Sequence, residues 1–192
     1  MIPPGERSDA ELARLAAAGD DRAFTVLVRR WQEPLVRLLR RYLGSADEAR
    51  EAAHEAFVAA WGALRRYDPE RPFGAWLRTI AINKARDRGR RIAVRRLLFG
   101  DVAHESAEAE WRDAAPLSDE ALIERERLTA LDRAIAQLPA TLKEPLLLTA
   151  LEGLSQKDAG DILGLSAKSI ETRVYRARKI LAERLARASA RP

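Results

Sequence analysis

Apolar residues recur along this chain at spacings of three and four, and strict alternation is absent, so the pattern predicts helices throughout. A short helix spans Ala10 to about Ala18 and ends at Gly19. Asp20 or Asp21 caps a longer one from Arg22 to Leu43, closed by Gly44, with Pro34 predicted to kink or split it. Ser45 or Asp47 starts a third helix reaching Leu64. Residues 67–72, YDPERP, cannot be helix interior and read as a loop. A fourth helix runs from Phe73 to about Arg88. Residues 1–99 thus form one helical bundle of ordinary domain size. Gly100 to Ser118 has no sustained apolar period, is rich in acids and Ala, and contains Pro116; it reads as a linker. A second helical domain, 119–192, holds a helix from Leu122 to Leu138, then Pro139, then a helix to Glu152. Thr141 and Glu144 have capping-box spacing there, which would place Pro145 in the first turn.

The last segment is the most specific. LSQKDAGDILGLSAKSIETRVYRAR, residues 154–178, reads as a helix-turn-helix. Ser155 caps its first helix with Asp158 three residues on, Gly164 ends that helix, and Ser166 caps a second helix from Ala167 to about Arg187. On the second helix Ile170, Val174, Ala177, Leu181 and Leu185 form one stripe. Lys168, Thr172, Tyr175, Arg176 and Lys179 gather on the opposite face. These side chains donate to phosphates and base edges from a helix of groove-entering size. Thr172, Arg176 and Lys168 lie farthest from the apolar stripe and are base-edge candidates; Arg173, Arg178 and Lys179 are phosphate candidates. The fold class expected is all-α: two small helical domains joined by an acidic linker, the C-terminal one a helix-turn-helix.

Charge sharpens this picture through its distribution. The 192 residues carry 34 Lys and Arg against 29 Asp and Glu, a net charge of only +5. From Arg86 to Arg96 there are six Arg and one Asp, whereas Asp101 to Glu126 holds nine acids and two Arg. Basic regions flank an acidic middle, as expected if the ends meet nucleic acid and the middle does not. The chain has no cysteine, which excludes disulfides and thiol metal sites. It has no apolar run of membrane-spanning length and no signal-peptide core, so a cytoplasmic protein without membrane insertion is expected. Glu51 and His54 have the Glu-x-x-His spacing of helical di-metal sites. The only other histidine, His104, lies in the linker, so no metal and no cofactor is expected. No nucleophile, histidine and acid stand in a triad order, and no phosphate-cradling Gly-rich loop is present, so no enzyme is expected.

In the third helix Ala49, Ala53, Phe57, Ala60, Trp61 and Leu64 read as a core face. Glu48, Glu51, His54, Glu55 and Val58 read as the opposite, solvated one. In the fourth, Phe73, Trp76, Leu77, Ile80 and Ala81 read as the buried stripe, with Arg86, Arg88, Arg90 and Arg91 clustered at its end. A basic helix end beside the loop 67–72 suits single-stranded DNA.

FGAWLRTIAINKARDRGRR, residues 73–91, resembles the signature of bacterial extracytoplasmic-function (group 4) sigma factors, with Phe73, Ala75, Trp76, Leu77, Thr79, Ile80, Ala81, Asn83, Ala85 and Asp87 among the matching positions. EAREAAHEAFVAAWGAL, residues 48–64, is similar to the polymerase-binding helix of that family, and residues 138–181 to its C-terminal domain. Departures are Arg50, where an acid is usual, Ala52 and Ala53 for larger residues, Arg88-Gly89 for an aromatic-aliphatic pair, Gly160 inside a helix, and Glu171 for a base.

The resemblance implies a factor that binds core RNA polymerase and guides it to promoters. The face Glu48, Glu51, His54 and Glu55 would dock on the clamp of the polymerase largest subunit. Asn83, Arg86, Arg88, Arg90 and Arg91, with the loop 67–72, would take the melted single strand of the downstream (−10) element. The second helix of the helix-turn-helix, through Lys168, Thr172, Arg173, Tyr175, Arg176, Arg178 and Lys179, would read the double-stranded upstream (−35) element. An anti-sigma factor is the implied regulatory partner. The alternatives are a stand-alone helix-turn-helix transcriptional regulator, which leaves residues 73–85 without a role, and a helical enzyme or scaffold with merely solvated basic faces.

Overall fold

A computed structural model describes residues 7–99 and 119–189. Its helices are α1 (Asp9–Ala17), α2 (Asp21–Leu43), α3 (Ala46–Ala63), α4 (Phe73–Phe99), α5 (Asp119–Ala136), α6 (Ala140–Leu146), α7 (Gln156–Leu163) and α8 (Ala167–Ser189). The described residues hold no strand. The segment expected to be a linker lies outside them.

The helix starts follow side-chain chemistry. Ser8 forms a full capping box with Glu11, and Asp20 accepts from the backbone N–H groups of Arg22 and Ala23. Ser45 and Ser155 cap α3 and α7, and Ser166 Oγ accepts from Ser169 N–H at the start of α8. Gly44 and Gly164 end α2 and α7 in left-handed conformation, with φ of 75° and 68°.

Three local expectations are corrected. Pro34 does not split α2, which continues as one helix from Asp21 to Leu43. Leu27 before it and Leu35, Leu38 and Leu39 after it are all buried, so both halves of the helix are seated in the core. The fourth helix does not stop near Arg88 but continues to Phe99. Arg88 and Arg95, two turns apart, both reach Glu48 of α3 and tether the extension to the bundle. The capping box of Thr141 and Glu144 is not formed: Pro139 occupies the N-cap without a side-chain bond, and the Glu144 carboxylate is drawn to Tyr42 and Arg86 instead. Beyond Leu146 the chain winds through a π turn, Leu147–Leu151, in which Glu152 N–H donates to the Leu147 carbonyl.

α1 to α4 pack as a bundle, with α2 against α1, α3 and α4. Between α2 and α4 sits an aromatic group. Trp31 Nε1 donates to Asp9 at 2.9 Å, Arg78 lies over the Trp31 ring at 4.9 Å, and Phe73 packs between Trp31, Tyr67 and Trp76. The apolar core does not divide at the linker. One buried cluster runs from Leu12 through Leu39 and Leu77 into Ile135, Leu147 and Leu181. A second joins Ile82 of α4 to Leu148, Ala159, Ile162 and Ile170. The two helical sets therefore share their cores.

Gly160, a helix-interior glycine that propensity alone disfavours, is required by packing. A Cβ there would sit far inside contact distance of the Leu165 carbonyl oxygen, where the turn folds back on α7. Gly62, near the end of α3, has open space instead. Gly160→Ala should therefore destabilise the chain by about 1–3 kcal/mol, whereas Gly62→Ala should stabilise it by up to about 1 kcal/mol. Chemical denaturation of the two variants checks the opposite signs.

Candidate nucleic-acid interface

The helix-turn-helix is built from α7 and α8. Ile170 and Ala177 are fully buried and Leu181 nearly so, with Val174 and Leu185 partly covered, which seats α8 by the stripe expected of it. The seating leaves Lys168, Thr172, Tyr175, Arg176, Arg178 and Lys179 exposed, and Arg173 half-buried. Tyr175 is 70% exposed, a large ring standing in solvent on a helix of cations. Two of these side chains are held locally. The Thr172 hydroxyl donates to the Lys168 carbonyl at 2.9 Å, and the Lys168 ammonium pairs with Glu171 at 2.8 Å. An ion pair this exposed contributes ~1 kcal/mol or less, so Lys168 can exchange Glu171 for a phosphate at little cost.

The basic end of α4 is less uniform than its sequence. Asn83 is exposed, and its Oδ1 accepts from Arg86 Nη1 at 3.1 Å. Arg90 and Arg91 are exposed, Arg90 pairing with Asp87. Arg86 is turned to Glu144, to which it donates twice, at 2.7 and 2.5 Å. Arg88 is drawn between Glu48 and Glu55 of α3 and donates to both. The structure thus brings Asn83, Arg90 and Arg91 to the surface and commits Arg86 and Arg88 to carboxylates of the protein itself. In the adjacent loop Tyr67 Oη donates to the Arg71 carbonyl at 2.6 Å, and Asp68 accepts from Glu70 N–H at 3.0 Å. These bonds give the loop a fixed shape against Phe73 and Trp76.

On α3 the acidic face divides. Glu51, His54 and Val58 are exposed. Glu48 is not: its side chain is only 13% accessible and is held by Arg88 and Arg95, while Glu55 is half-buried on Arg88. The reading of all four as one solvated face is corrected on this point. Glu48 and Glu55 are seven residues apart, so they fall on the flank of α3 that meets α4. Burial would raise the Glu48 carboxyl, but hydrogen bonds from Arg88 and Arg95 outweigh it and hold the group below the ordinary carboxylate range.

An apolar groove beside this face escaped the sequence reading. Phe24, Val28 and Val36 of α2 and Phe57, Val58 and Trp61 of α3 line it, around a space of about 460 Å³. Val58 is 59% and Trp61 42% exposed, although Trp61 has the spacing of a core residue. The signal was present: Phe24 and Val28 lie one turn apart on α2, as do Phe57 and Trp61 on α3. Periodicity marks such residues as sharing a face and does not say whether another element covers that face.

Comparison with known proteins places these features in a lineage. The Sigma-70 region 2 family matches residues 27–95, and the Sigma-70 region 4 family matches residues 128–181. The RNA polymerase sigma factor CnrH of Cupriavidus metallidurans is 37% identical over 177 residues, which is 90% of this chain and 92% of that protein. The ECF RNA polymerase sigma factor SigM of Mycobacterium tuberculosis is 31% identical, over 94% of this chain and 86% of its own. Among solved structures, that of CnrH in complex with the cytosolic domain of CnrY covers 93% of this chain and 97% of its own, at 33% identity and a TM-score of 0.68.

The Glu48 geometry has a measurable consequence. A carboxyl held below its usual value of 4.5 stabilises the fold above that pH, and this contribution is lost as pH falls through the lowered value. Glu48→Gln should reduce stability at neutral pH and flatten its decline below about pH 4.5, as read by denaturation midpoints across the acid range.

Proposed function

The chain belongs to the extracytoplasmic-function family of RNA polymerase sigma factors, and from that we propose how its surfaces divide the work of promoter-specific initiation. The observation that carries the reading is the pairing of the region 2 and region 4 families, in order, with an α8 whose solvent face is cationic and whose opposite face is buried. α8 enters the major groove of the upstream element. Arg176 and Lys168 meet base edges with Thr172, Tyr175 covers a base or sugar beside them, and Arg173, Arg178 and Lys179 hold phosphates. Asn83, Arg90 and Arg91 of α4, with the loop 67–72, receive the unstacked strand of the downstream element; Arg86 and Arg88 join them on release from their carboxylates.

The polymerase dock is the exposed remainder of the α3 face, Glu51, His54 and Val58, together with the groove at Phe57 and Trp61. An apolar slot with a charged rim suits a helical partner such as the polymerase clamp. The protein is not itself a catalyst; the polymerase makes the phosphodiester bonds. It acts in the cytoplasm, where its DNA is, and no helix among the described residues is long and apolar enough to cross a membrane. An anti-sigma factor is its regulatory partner.

Core polymerase tests the dock. Glu51→Lys combined with Val58→Asp should weaken capture of core enzyme in a pull-down while leaving helix content unchanged; undiminished capture would remove the assignment. Promoter variants test the readout. Arg176→Ala should cost about 1–3 kcal/mol and relax preference at one base-pair position, since Arg forks onto guanine better than any other donor, and Arg176→Lys should restore only part of the loss. Transcription by the corresponding holoenzymes across single-base promoter variants is the assay, and a uniform loss at every position would make Arg176 a phosphate anchor. Arg178→Ala should instead weaken all sequences alike and reduce the log–log salt slope of duplex binding by about one.

A further inference from the structure

α4 carries, on the side away from α3, the residues Arg78, Ile82 and Arg86, each four from the last. They meet Glu152, Leu148 and Glu144, which are likewise four apart and run in the opposite order along α6 and its π turn. Arg78 donates to Glu152 through Nε at 2.9 Å and Nη2 at 2.6 Å, in an ion pair with both side chains mostly buried. Ile82 and Leu148 belong to one buried cluster. Arg86 donates twice to Glu144, and Tyr42 Oη donates to the same carboxylate at 2.9 Å. The stripe is complementary in charge, apolar contact and direction.

From this match we infer that the free chain holds itself shut: the Arg78–Ile82–Arg86 face of α4 is an interaction surface whose occupant is the Glu144–Leu148–Glu152 face of the chain's own C-terminal domain. The consequence for initiation rests on the function proposed above. Closure engages Arg86 at the place where the melted strand would lie. It also fixes α8 relative to α4, whereas two promoter elements separated along DNA require the two domains apart. Opening breaks the pairs Arg78–Glu152 and Arg86–Glu144 and parts the apolar core that the two helical sets share, so the shut form is the resting state, and polymerase and DNA must supply the free energy that exposes α4. The occupant is this chain and not a generic acidic ligand, because Leu148 and the two glutamates come as one helical register that also buries Ala159 and Ile170 beside Ile82.

The chain has no cysteine, so single spin labels can be placed cleanly. Arg29→Cys on α2 and Glu183→Cys on α8, both exposed positions, report the distance between the helical sets. The full-length labelled chain should give one narrow distance distribution. Arg78→Glu or Glu152→Arg alone should broaden and lengthen it, and the exchange Arg78→Glu with Glu152→Arg should narrow it again. Single variants with an unchanged distribution, or an exchange that fails to restore it, would overturn the lock. Binding of the same proteins to a fluorescent mixed-sequence single strand separates the lock from the function it rests on. Arg78→Glu removes positive charge, yet it should raise strand affinity, by about tenfold if one molecule in ten is open in the unmodified chain. Opening without that rise would leave the lock standing and remove strand capture by α4.

Discussion

One buried carboxylate organises the join between the two halves of this protein. Glu144 is 4% exposed, and a charge so placed is tolerable only when its hydrogen bonds are made. Tyr42 supplies one from α2 and Arg86 two from α4, so a single side chain of α6 draws three helices to one point. Its neighbour Lys143 is also buried. Its ammonium donates to the carbonyls of Tyr42 at 2.8 Å and Ala136 at 2.5 Å, near the C-terminal ends of α2 and α5, where helix dipoles favour a cation. Burial pulls the Lys143 ammonium down to about 8, against the opposing pull of Glu144, and burial with the nearby Glu144 charge raises the Tyr42 phenol. Removing one partner of such a cluster strands the others, which costs about 3–5 kcal/mol for a buried ion pair. The cluster is therefore strong while intact and fails as a unit.

That property suits a protein with two arrangements. The shared apolar core resists opening in proportion to its area, whereas the paired charges beside it regain water and, on α4, phosphate when they part. The face of α4 at the join is charged at Arg78 and Arg86 and apolar only at Ile82 between them. Arg88 shows the same economy on the flank toward α3, where Glu48 and Glu55 hold a side chain that a nucleic-acid strand would also attract.

Much of this was legible in the sequence. Caps at Ser45, Asp20, Ser155 and Ser166 and stops at Gly44 and Gly164 are local chemistry, and local chemistry fixes helix ends. The stripe from Ile170 to Leu181 told which way α8 faces, because α5, α6 and α7 all pack on that one side of it. The misreadings have a common cause. The extension of α4, Glu48 and Glu144 were decided by residues distant in the chain. Arg88 and Arg95 bind Glu48 from forty or more positions away, and Tyr42 reaches Glu144 from about a hundred. A capping-box spacing at Thr141 and Glu144 is a real propensity, and a buried ion pair outweighs it. The order and kind of the domains followed from motif resemblance; the joining of their cores did not, since no periodicity within one helix records what another helix will cover.

α4 faces two ways, toward the chain's own C-terminal domain at rest and toward the promoter at work. The most direct test is to prevent the change. Cysteines in place of Arg78 and Glu152 can be bridged in the full-length chain by a short, reducible bis-methanethiosulfonate, and promoter-dependent run-off transcription can then be measured with core polymerase before and after reduction. The prediction is loss of transcription from the bridged protein and its recovery once the bridge is reduced. Full transcription by the bridged protein would contradict the account.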